Sequence, residues 1–197
     1  MNPRFSSFIS LSLCAAFIGG CASNNLSKGS GSQSTPVVSE NSITPKGTPN
    51  FTSKAAGFSI YFPVKPTEKR TPSTSEWGDH ETFIYQSETK PVTYVIIATT
   101  IPPKVDTSDS VNFIDSVQQG LSEEANAKVE KVRDVSLDGT PGREIRATMH
   151  EGAAQSRVYI YFTPKITYQV MAVGAKKEFQ NQQAQVEKVL SSFRLVR

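Results

Sequence analysis

The sequence predicts an α+β domain in which a largely antiparallel sheet carries two main helices. Short apolar segments recur between polar turns rich in Gly and Pro, which is the pattern of strands joined by hairpins. Two longer segments instead repeat their apolar residues at helical spacing. Some strand segments are apolar at both alternating positions, which indicates burial on both faces. This burial indicates that helices cover opposite sides of the sheet, in an α+β layer architecture.

The N-terminal part of the domain is predicted to supply three strands and one polar segment. Residues 58–62 form a compact apolar strand. Residues 64–79 are polar and interrupted by prolines, which predicts a loop with room for one edge strand. Residues 81–86 and 92–101 are predicted strands, and the second of them is apolar at both alternating positions.

The first helix is predicted over residues 106–126. Asp106 is placed to cap its N-terminus, with Asp109 three residues later in a variant of the capping box. The expected buried stripe consists of apolar residues at helical spacing, with one phenylalanine beside it: Val111, Ile114, Val117, Leu121 and Phe113. The acidic residues of this segment do not match a calcium loop, which needs alternating oxygen ligands and a glycine.

The C-terminal part is predicted to form a meander of strands followed by the second helix. The expected strands cover residues 128–137, 143–151, 156–162 and 166–173, the helix covers 176–192, and a short strand covers 193–196. In the turn at residues 138–142, Gly139 and Gly142 can supply positive φ angles.

The first 21 residues carry a targeting signal. One positive charge at Arg4 precedes a mostly apolar stretch over residues 5–17, which is too short to span a membrane. The sequence Ile18-Gly19-Gly20-Cys21 then resembles the lipobox of bacterial lipoproteins. The resemblance implies cleavage between Gly20 and Cys21, a diacylglyceryl thioether on Cys21, and acylation of the new amine, for example by palmitate. An ordinary secretory signal with an incidental cysteine is the alternative.

Residues 22–50 are dominated by Ser, Asn, Gly, Thr and Pro, which predicts a disordered linker of about 30 Å between its ends. The predicted organisation is therefore a signal peptide over residues 1–20, lipidated Cys21 with its linker over 21–50, and one domain over 51–197. Ala22 and Ser23 differ from the Asp that retains enterobacterial lipoproteins in the inner membrane. The resemblance therefore implies an outer-membrane anchor facing the periplasm, if the source has two membranes.

Composition excludes several functional classes. The formal charge of +3 falls to +2 when Arg4 leaves with the signal, which is too small to indicate nucleic-acid binding. Of the two cysteines, Cys14 lies in the signal and Cys21 is the lipid site. The domain is therefore expected to have no disulfide, thiol nucleophile or thiolate metal site.

Two motifs resemble those of a known family. Gly57-Phe58-Ser59-Ile60-Tyr61-Phe62-Pro63 is similar to the opening strand of PsbP-type proteins, the lumenal subunits attached to photosystem II. Leu137-Asp138-Gly139-Thr140-Pro141-Gly142-Arg143-Glu144 resembles a hairpin of that group and of DcrB-like bacterial lipoproteins, and the closing helix with Ser192-Phe193 also fits. The resemblance implies a PsbP-like α/β/α sandwich and a non-catalytic role in docking to, or assembling, a membrane complex.

Residues that could carry chemistry are few. His80 lies within Asp79-His80-Glu81, where sequence neighbours point in different directions, and His150 lies near a strand end. No Gly-x-Ser-x-Gly nucleophile elbow is present. We therefore predict no catalytic residue, no metal site and no cofactor.

A partner surface is predicted where Arg146 and Arg157 share strands with Tyr159 and Tyr161, because Arg and Tyr are enriched at interfaces. The alternative is that these tyrosines pack under a helix, with the arginine stems lying over them. The expected function is a lipid-anchored cell-envelope protein that binds a protein partner and the membrane. A small-molecule or metal-binding lipoprotein is the second hypothesis, and a hydrolase is the third.

Overall fold

The structure is a computed structural model that describes residues 42–43, 46–124 and 127–196. The predicted signal peptide, the lipidation site Cys21 and residues 22–41 of the predicted linker lie outside the described residues. No helix among the described residues has the length and apolar composition needed to cross a bilayer.

The described residues form eleven strands and three α-helices. In chain order these are β1 Ser42–Ile43, β2 Phe51–Ser53, β3 Phe58–Ile60, β4 Thr67–Ser75, β5 Gly78–Glu88, β6 Val92–Thr100, α1 Ser110–Glu124, β7 Lys128–Leu137, β8 Thr140–Met149, β9 Ala154–Phe162, β10 Ile166–Ala175, α2 Lys176–Asn181, α3 Gln183–Leu190 and β11 Arg194–Leu195. A short 3₁₀ turn, His150–Gly152, joins β8 to β9.

The strands form one large sheet and one small sheet. The large sheet has eight strands in the order β1-β7-β8-β9-β10-β6-β5-β4, and the small sheet has three in the order β11-β3-β2. Neighbouring strands are antiparallel except for β1, which pairs with β7 in parallel. The predicted α+β class with a largely antiparallel sheet is therefore confirmed.

Two apolar cores cover the two faces of the large sheet. On one face Val95 and Ile97 of β6 pack in the same cluster as Ile114 and Val117 of α1. On the other face an aromatic-rich cluster joins the sheet to α2, α3 and the small sheet. Strand β6 is buried at both alternating positions, as its sequence predicts. The second face is covered partly by the strands of the small sheet. The predicted α/β/α sandwich therefore describes the layers only loosely.

The polar segment at residues 64–79 contains a longer strand than its sequence indicates. Strand β4 pairs along all nine of its residues with β5 and forms an edge of the large sheet. Pro72 lies opposite Glu81 in this strand. A proline is tolerated there because an edge strand leaves one row of backbone groups without a sheet partner.

Both predicted helices differ in detail from the sequence expectation. The N-cap of α1 is Asp109, whose Oδ1 accepts a hydrogen bond of 3.0 Å from the backbone N–H of Asn112. Asp106 instead accepts one of 2.9 Å from the backbone N–H of Ser108 in the preceding turn. Val111 is 60% exposed and so lies outside the predicted buried stripe. The second helix is divided into α2 and α3 at Gln182, whose φ of −102° departs from helical geometry.

The last residues of the predicted linker contact the domain. Ser42 and Ile43 pair with Ser136 and Leu137 at the edge of β7. The backbone N–H of Lys46 also donates to the carbonyl of Ser191 over 2.7 Å. The free edge of β7 supplies backbone partners, and Ile43 packs against the aromatic core. Part of the segment predicted as linker therefore contacts the domain.

The predicted turn at residues 138–142 is shorter than expected. Asp138 and Gly139, with φ of 49° and 81°, form the loop between β7 and β8. Gly142 lies inside β8, where a Cβ atom would stand 2.4 Å from the carbonyl oxygen of Ile160 and 2.6 Å from Cδ1 of Tyr161. The absence of a side chain at Gly142 therefore serves packing against β9, rather than a positive φ angle.

Candidate functional site

Strand β8 places two neighbouring charges on opposite faces of the large sheet. Arg143 lies opposite Ile160 on the α1 face, and Glu144 lies opposite Tyr159 on the face covered by α2 and α3. The side chain of Glu144 is only 2% exposed. A buried carboxylate is costly unless it is paired and hydrogen-bonded, so its surroundings define the first candidate site.

Three arginines donate hydrogen bonds to the Glu144 carboxylate. Arg133 on β7 donates from Nη2 to Oε2 over 2.6 Å. Arg146 and Arg157 donate from their Nε atoms to Oε1 over 2.9 and 2.8 Å. The strand register explains this convergence, because Arg133 lies directly opposite Glu144 and Arg146 lies directly opposite Arg157.

These arginines keep Glu144 ionised. Burial alone would raise the pKa of the Glu144 carboxyl. The hydrogen bond from Arg146 and the positive charges of Arg157, Arg146 and Arg133 outweigh that effect, so the pKa is lowered. The carboxylate therefore carries its negative charge at neutral pH and holds three cationic side chains in fixed positions.

Arg157 connects this cluster to helix α3. Its Nη2 donates to the hydroxyl of Tyr159 over 2.5 Å, and its Nη1 donates to the carboxylate of Glu187 on α3. Its side chain is only 14% exposed. Burial raises the pKa of the Tyr159 hydroxyl, so this group remains neutral and accepts the guanidinium hydrogen bond. Arg157 is thus held by partners on β8, β9 and α3.

A cleft of about 380 Å³ lies beside Arg157, between the β8–β9 strands and helices α2 and α3. We call it the arginine cleft, and its lining residues are Arg146, Gln155, Ser156, Arg157, Phe179, Gln183, Ala184, Val186 and Glu187. Arg146 is 42% exposed, and within the described ranges its Nη1 and Nη2 atoms have no hydrogen-bond partner. The buried Oε1 atom of Gln155 also has none among the described residues.

The predicted partner residues are brought together only in part. Arg146 and Arg157 meet in the arginine cleft. Tyr159 is 5% exposed beneath Arg157, whose Cζ lies 5.2 Å from the centroid of its ring. Tyr161 is 1% exposed and stacks on Phe193 with ring centroids 5.6 Å apart, so it belongs to the core. Both tyrosines are therefore packed in the core, as the alternative interpretation predicted. Their positions on β9 face the side of the sheet that α2, α3 and the small sheet cover.

Sequence reasoning missed Glu144, Arg133 and Glu187. The alternation of charged residues along β8, with Glu144 and Arg146 two positions apart, was the available signal for a polar row on one face. Burial of that row was not visible locally, because Arg133 comes from β7 and Glu187 from α3.

The two histidines lie apart from the arginine cleft. His80 is 7% exposed in β5, and its Nδ1 has no hydrogen-bond partner in the described part of the chain. His150 lies in the 3₁₀ turn, where it and Glu151 adopt positive φ angles of 51° and 55°. Within the described ranges, no three His, Cys, Asp or Glu side chains are grouped so that they could hold a metal ion.

Arg143 forms a second charged cluster, on the face of α1. Its Nε donates to Asp134 on β7 over 2.8 Å, and its Nη1 donates to Asp115 and, over 3.1 Å, to Gln118 on α1. Asp115 and Asp134 are 53% and 68% exposed. The cluster ties α1 to the sheet.

Comparison with solved structures identifies the fold. The solution structure of cyanobacterial PsbP (CyanoP) from Synechocystis sp. PCC 6803 is similar with a TM-score of 0.53 and 10% sequence identity, covering 74% of this chain and 90% of that chain. The chain therefore has a PsbP-like fold, as the sequence resemblance implied. An identity this low carries no information about function.

Two further solved structures are less similar. A protein from Bacteroides thetaiotaomicron VPI-5482 gives a TM-score of 0.42 at 18% identity, covering 76% of this chain and 49% of that chain. The protein of unknown function PA94 from Pseudomonas aeruginosa gives 0.39 at 13% identity, covering 60% and 91%. No protein-family model and no curated protein sequence matches the chain.

Proposed function

We propose that this chain is a lipid-anchored, non-catalytic protein of the cell envelope whose PsbP-like domain binds a protein partner through the arginine cleft. The observation that carries the proposal is the exposed guanidinium of Arg146, whose Nη1 and Nη2 atoms have no hydrogen-bond partner in the described part of the chain. Arg is enriched in protein interfaces because its planar guanidinium makes several directed hydrogen bonds.

The cluster around Glu144 supports a binding role because it fixes the guanidinium in advance. Arg146 is held through Nε by a carboxylate that is itself buried and bound by two other arginines. A side chain restrained in this way loses less conformational entropy when it binds. The remaining guanidinium hydrogens therefore form a ready-made contact for a partner with acceptor groups.

The anchor explains where such binding would take place. Two or three acyl chains on Cys21 are enough for stable membrane attachment, at roughly 0.8 kcal/mol for each buried CH₂ group. The segment after Cys21 would hold the domain away from the lipid headgroups. In a source with two membranes we place the protein on the outer membrane, facing the periplasm.

The anchor is tested by membrane fractionation of cells that express the Cys21→Ser chain. We expect this variant to leave the membrane fraction or to accumulate unprocessed, because the lipid cannot attach without the thiol. Intact-mass measurement of the wild-type chain should show an acylated Cys21 as the first residue. Full membrane retention of Cys21→Ser would contradict the proposal.

The partner surface is tested by pull-down from crosslinked envelopes. Arg146→Glu reverses the charge at the cleft, and Arg70→Glu makes the same change on edge strand β4, where Arg70 is 60% exposed. We expect Arg146→Glu to lose a specific protein that both the wild type and Arg70→Glu retain. Identical partner lists for all three chains would overturn the proposal. We choose Arg146 because its exposure makes the substitution milder than one at Arg157, which is largely buried.

A small-molecule ligand is the second candidate function. The cleft volume of about 380 Å³ falls within the range of small-ligand sites. Native mass spectrometry of the purified chain distinguishes the two candidates, since a bound metabolite would add a defined mass that Arg146→Glu removes.

A further inference from the structure

We propose that the arginine cleft takes an acidic side chain from a polypeptide partner, and that Glu187 occupies the place of that carboxylate in the free protein. This inference rests on the proposed function and specifies its chemistry. The partner's carboxylate would displace Glu187 from its hydrogen bond with Arg157.

The charge balance of the cluster leaves room for another carboxylate. Arg133, Arg146 and Arg157 supply three positive charges, while Glu144 and Glu187 supply two negative charges. Arg146 and Arg157 lie directly opposite each other on neighbouring strands, and both line the cleft. An incoming carboxylate would therefore meet two adjacent guanidinium groups, a geometry that favours strong, directed hydrogen bonds.

Glu187 differs from Glu144 in its exposure. Glu144 is 2% exposed and is bound by three arginines, whereas Glu187 is 51% exposed and the one hydrogen bond given for its carboxylate among the described residues is accepted from Nη1 of Arg157. Water can replace a half-exposed carboxylate at little cost, and an exposed ion pair of this kind contributes about 0 to 1 kcal/mol. Glu187 can therefore leave Arg157 without disturbing the buried pair between Arg157 and Glu144.

Gln155 favours a polypeptide over a small anion. It lies two residues before Arg157 on β9, lines the same cleft, and has a buried Oε1 acceptor without a partner among the described residues. That acceptor needs a donor group, which a fully ionised dicarboxylate does not carry and which phosphate offers only as a P–O–H group. A peptide segment supplies a carboxylate for the arginines together with a backbone N–H for Gln155.

Fluorescence anisotropy on the full chain tests this inference with two labelled peptides, Ser-Glu-Asp-Glu-Ser and its amide counterpart Ser-Gln-Asn-Gln-Ser. We expect the acidic peptide to bind and the amide peptide to bind at least about tenfold more weakly, since each lost charge-assisted hydrogen bond is worth about tenfold. Arg146→Gln should weaken binding of the acidic peptide by about tenfold, and Arg70→Gln should leave it unchanged.

The decisive variant is Glu187→Gln, which removes the internal carboxylate. We expect it to strengthen binding of the acidic peptide about threefold to tenfold, because the peptide no longer competes with Glu187 for Arg157. Glu76→Gln removes one negative charge in the hairpin between β4 and β5 and controls for net charge, so it should have a much smaller effect. Succinate and inorganic phosphate should compete with the peptide only weakly.

The outcomes separate the inference from the proposed function. If Arg146→Glu abolishes capture of a cellular partner but Glu187→Gln does not strengthen peptide binding, the proposed displacement of Glu187 is wrong and the proposed binding cleft is retained. Equal binding of both peptides, or strong competition by phosphate, overturns the acidic-peptide specificity. If neither peptide binds and Arg146→Glu loses no cellular partner, both proposals fail. Thermal unfolding of each variant confirms that it is folded before binding is measured.

Discussion

Arg143 and Glu144 are adjacent in sequence, and each is a mostly buried charge surrounded by opposite charges on its own face of the sheet. Arg143 is 11% exposed and faces two carboxylates that are more than half exposed. Glu144 is 2% exposed and faces three arginines, of which Arg157 is only 14% exposed. The two clusters are therefore centred on adjacent residues of β8 and have net charges of opposite sign.

The two clusters differ in which charged groups stay accessible once their ion pairs have formed. Around Arg143, the partners Asp115 and Asp134 can reach water when they are not paired, so the cluster joins α1 to the sheet at a modest energetic cost. Around Glu144, the arginines are held on a surface that also forms a cleft, and Arg146 has guanidinium hydrogens there without a partner among the described residues. The comparison shows that a buried acid can hold several arginines at the edge of a cleft, whereas a buried base with exposed partners joins a helix to the sheet.

The largest expected effect comes from neutralising the buried acid. Glu144→Gln preserves side-chain volume but leaves three guanidinium groups without their shared anion, so we expect a loss of about 3 kcal/mol or more in the free energy of unfolding. Arg143→Gln should cost about 1–2 kcal/mol, because its carboxylate partners regain water. Urea unfolding of the two variants provides the measurement. Equal losses would show that the exposure of the partners does not control the cost.

The difference between the clusters was only partly predictable from the sequence. The bounds predicted for β7, residues 128–137, agree with the structure because its apolar residues and the following turn are clear local signals. Strand β4 was assigned mainly to a loop because a polar edge strand has little apolar alternation. The break at Gln182 has no local signal that we recognise.

The site was less predictable than the fold. Arg146 and Arg157 were expected at a surface, and the structure places both at the cleft. Glu144 was overlooked as a site residue because a single glutamate in a strand is ordinarily solvent-facing. Its burial depends on strand pairing with β7 and β9 and on the packing of α3. These long-range contacts cannot be predicted from the residues next to Glu144 in the sequence.

Acid sensitivity gives a second way to separate the clusters. The pKa of Glu144 is lowered in the folded protein from its ordinary value of 4.5, so the unfolded chain binds its proton more readily. Its stabilisation is therefore complete above about pH 4.5 and is lost as pH falls through the lower native pKa. We expect the difference in stability between wild type and Glu144→Gln to shrink as pH falls below about 4.5. An unchanged difference across that range would contradict the assignment.

The smallest expected effect concerns the helix that covers the Arg143 face. Asp109→Ala removes the N-cap of α1 and should lower the free energy of unfolding by about 1 kcal/mol, measured by urea unfolding. Asp106→Ala, which changes only the preceding turn, should cost less. Because α1 lies on the opposite side of the sheet from the arginine cleft, Asp109→Ala should leave acidic-peptide affinity at its wild-type value. A parallel loss of affinity would mean that the two faces are coupled through β8, and the contrast between attachment on one face and binding on the other would no longer hold.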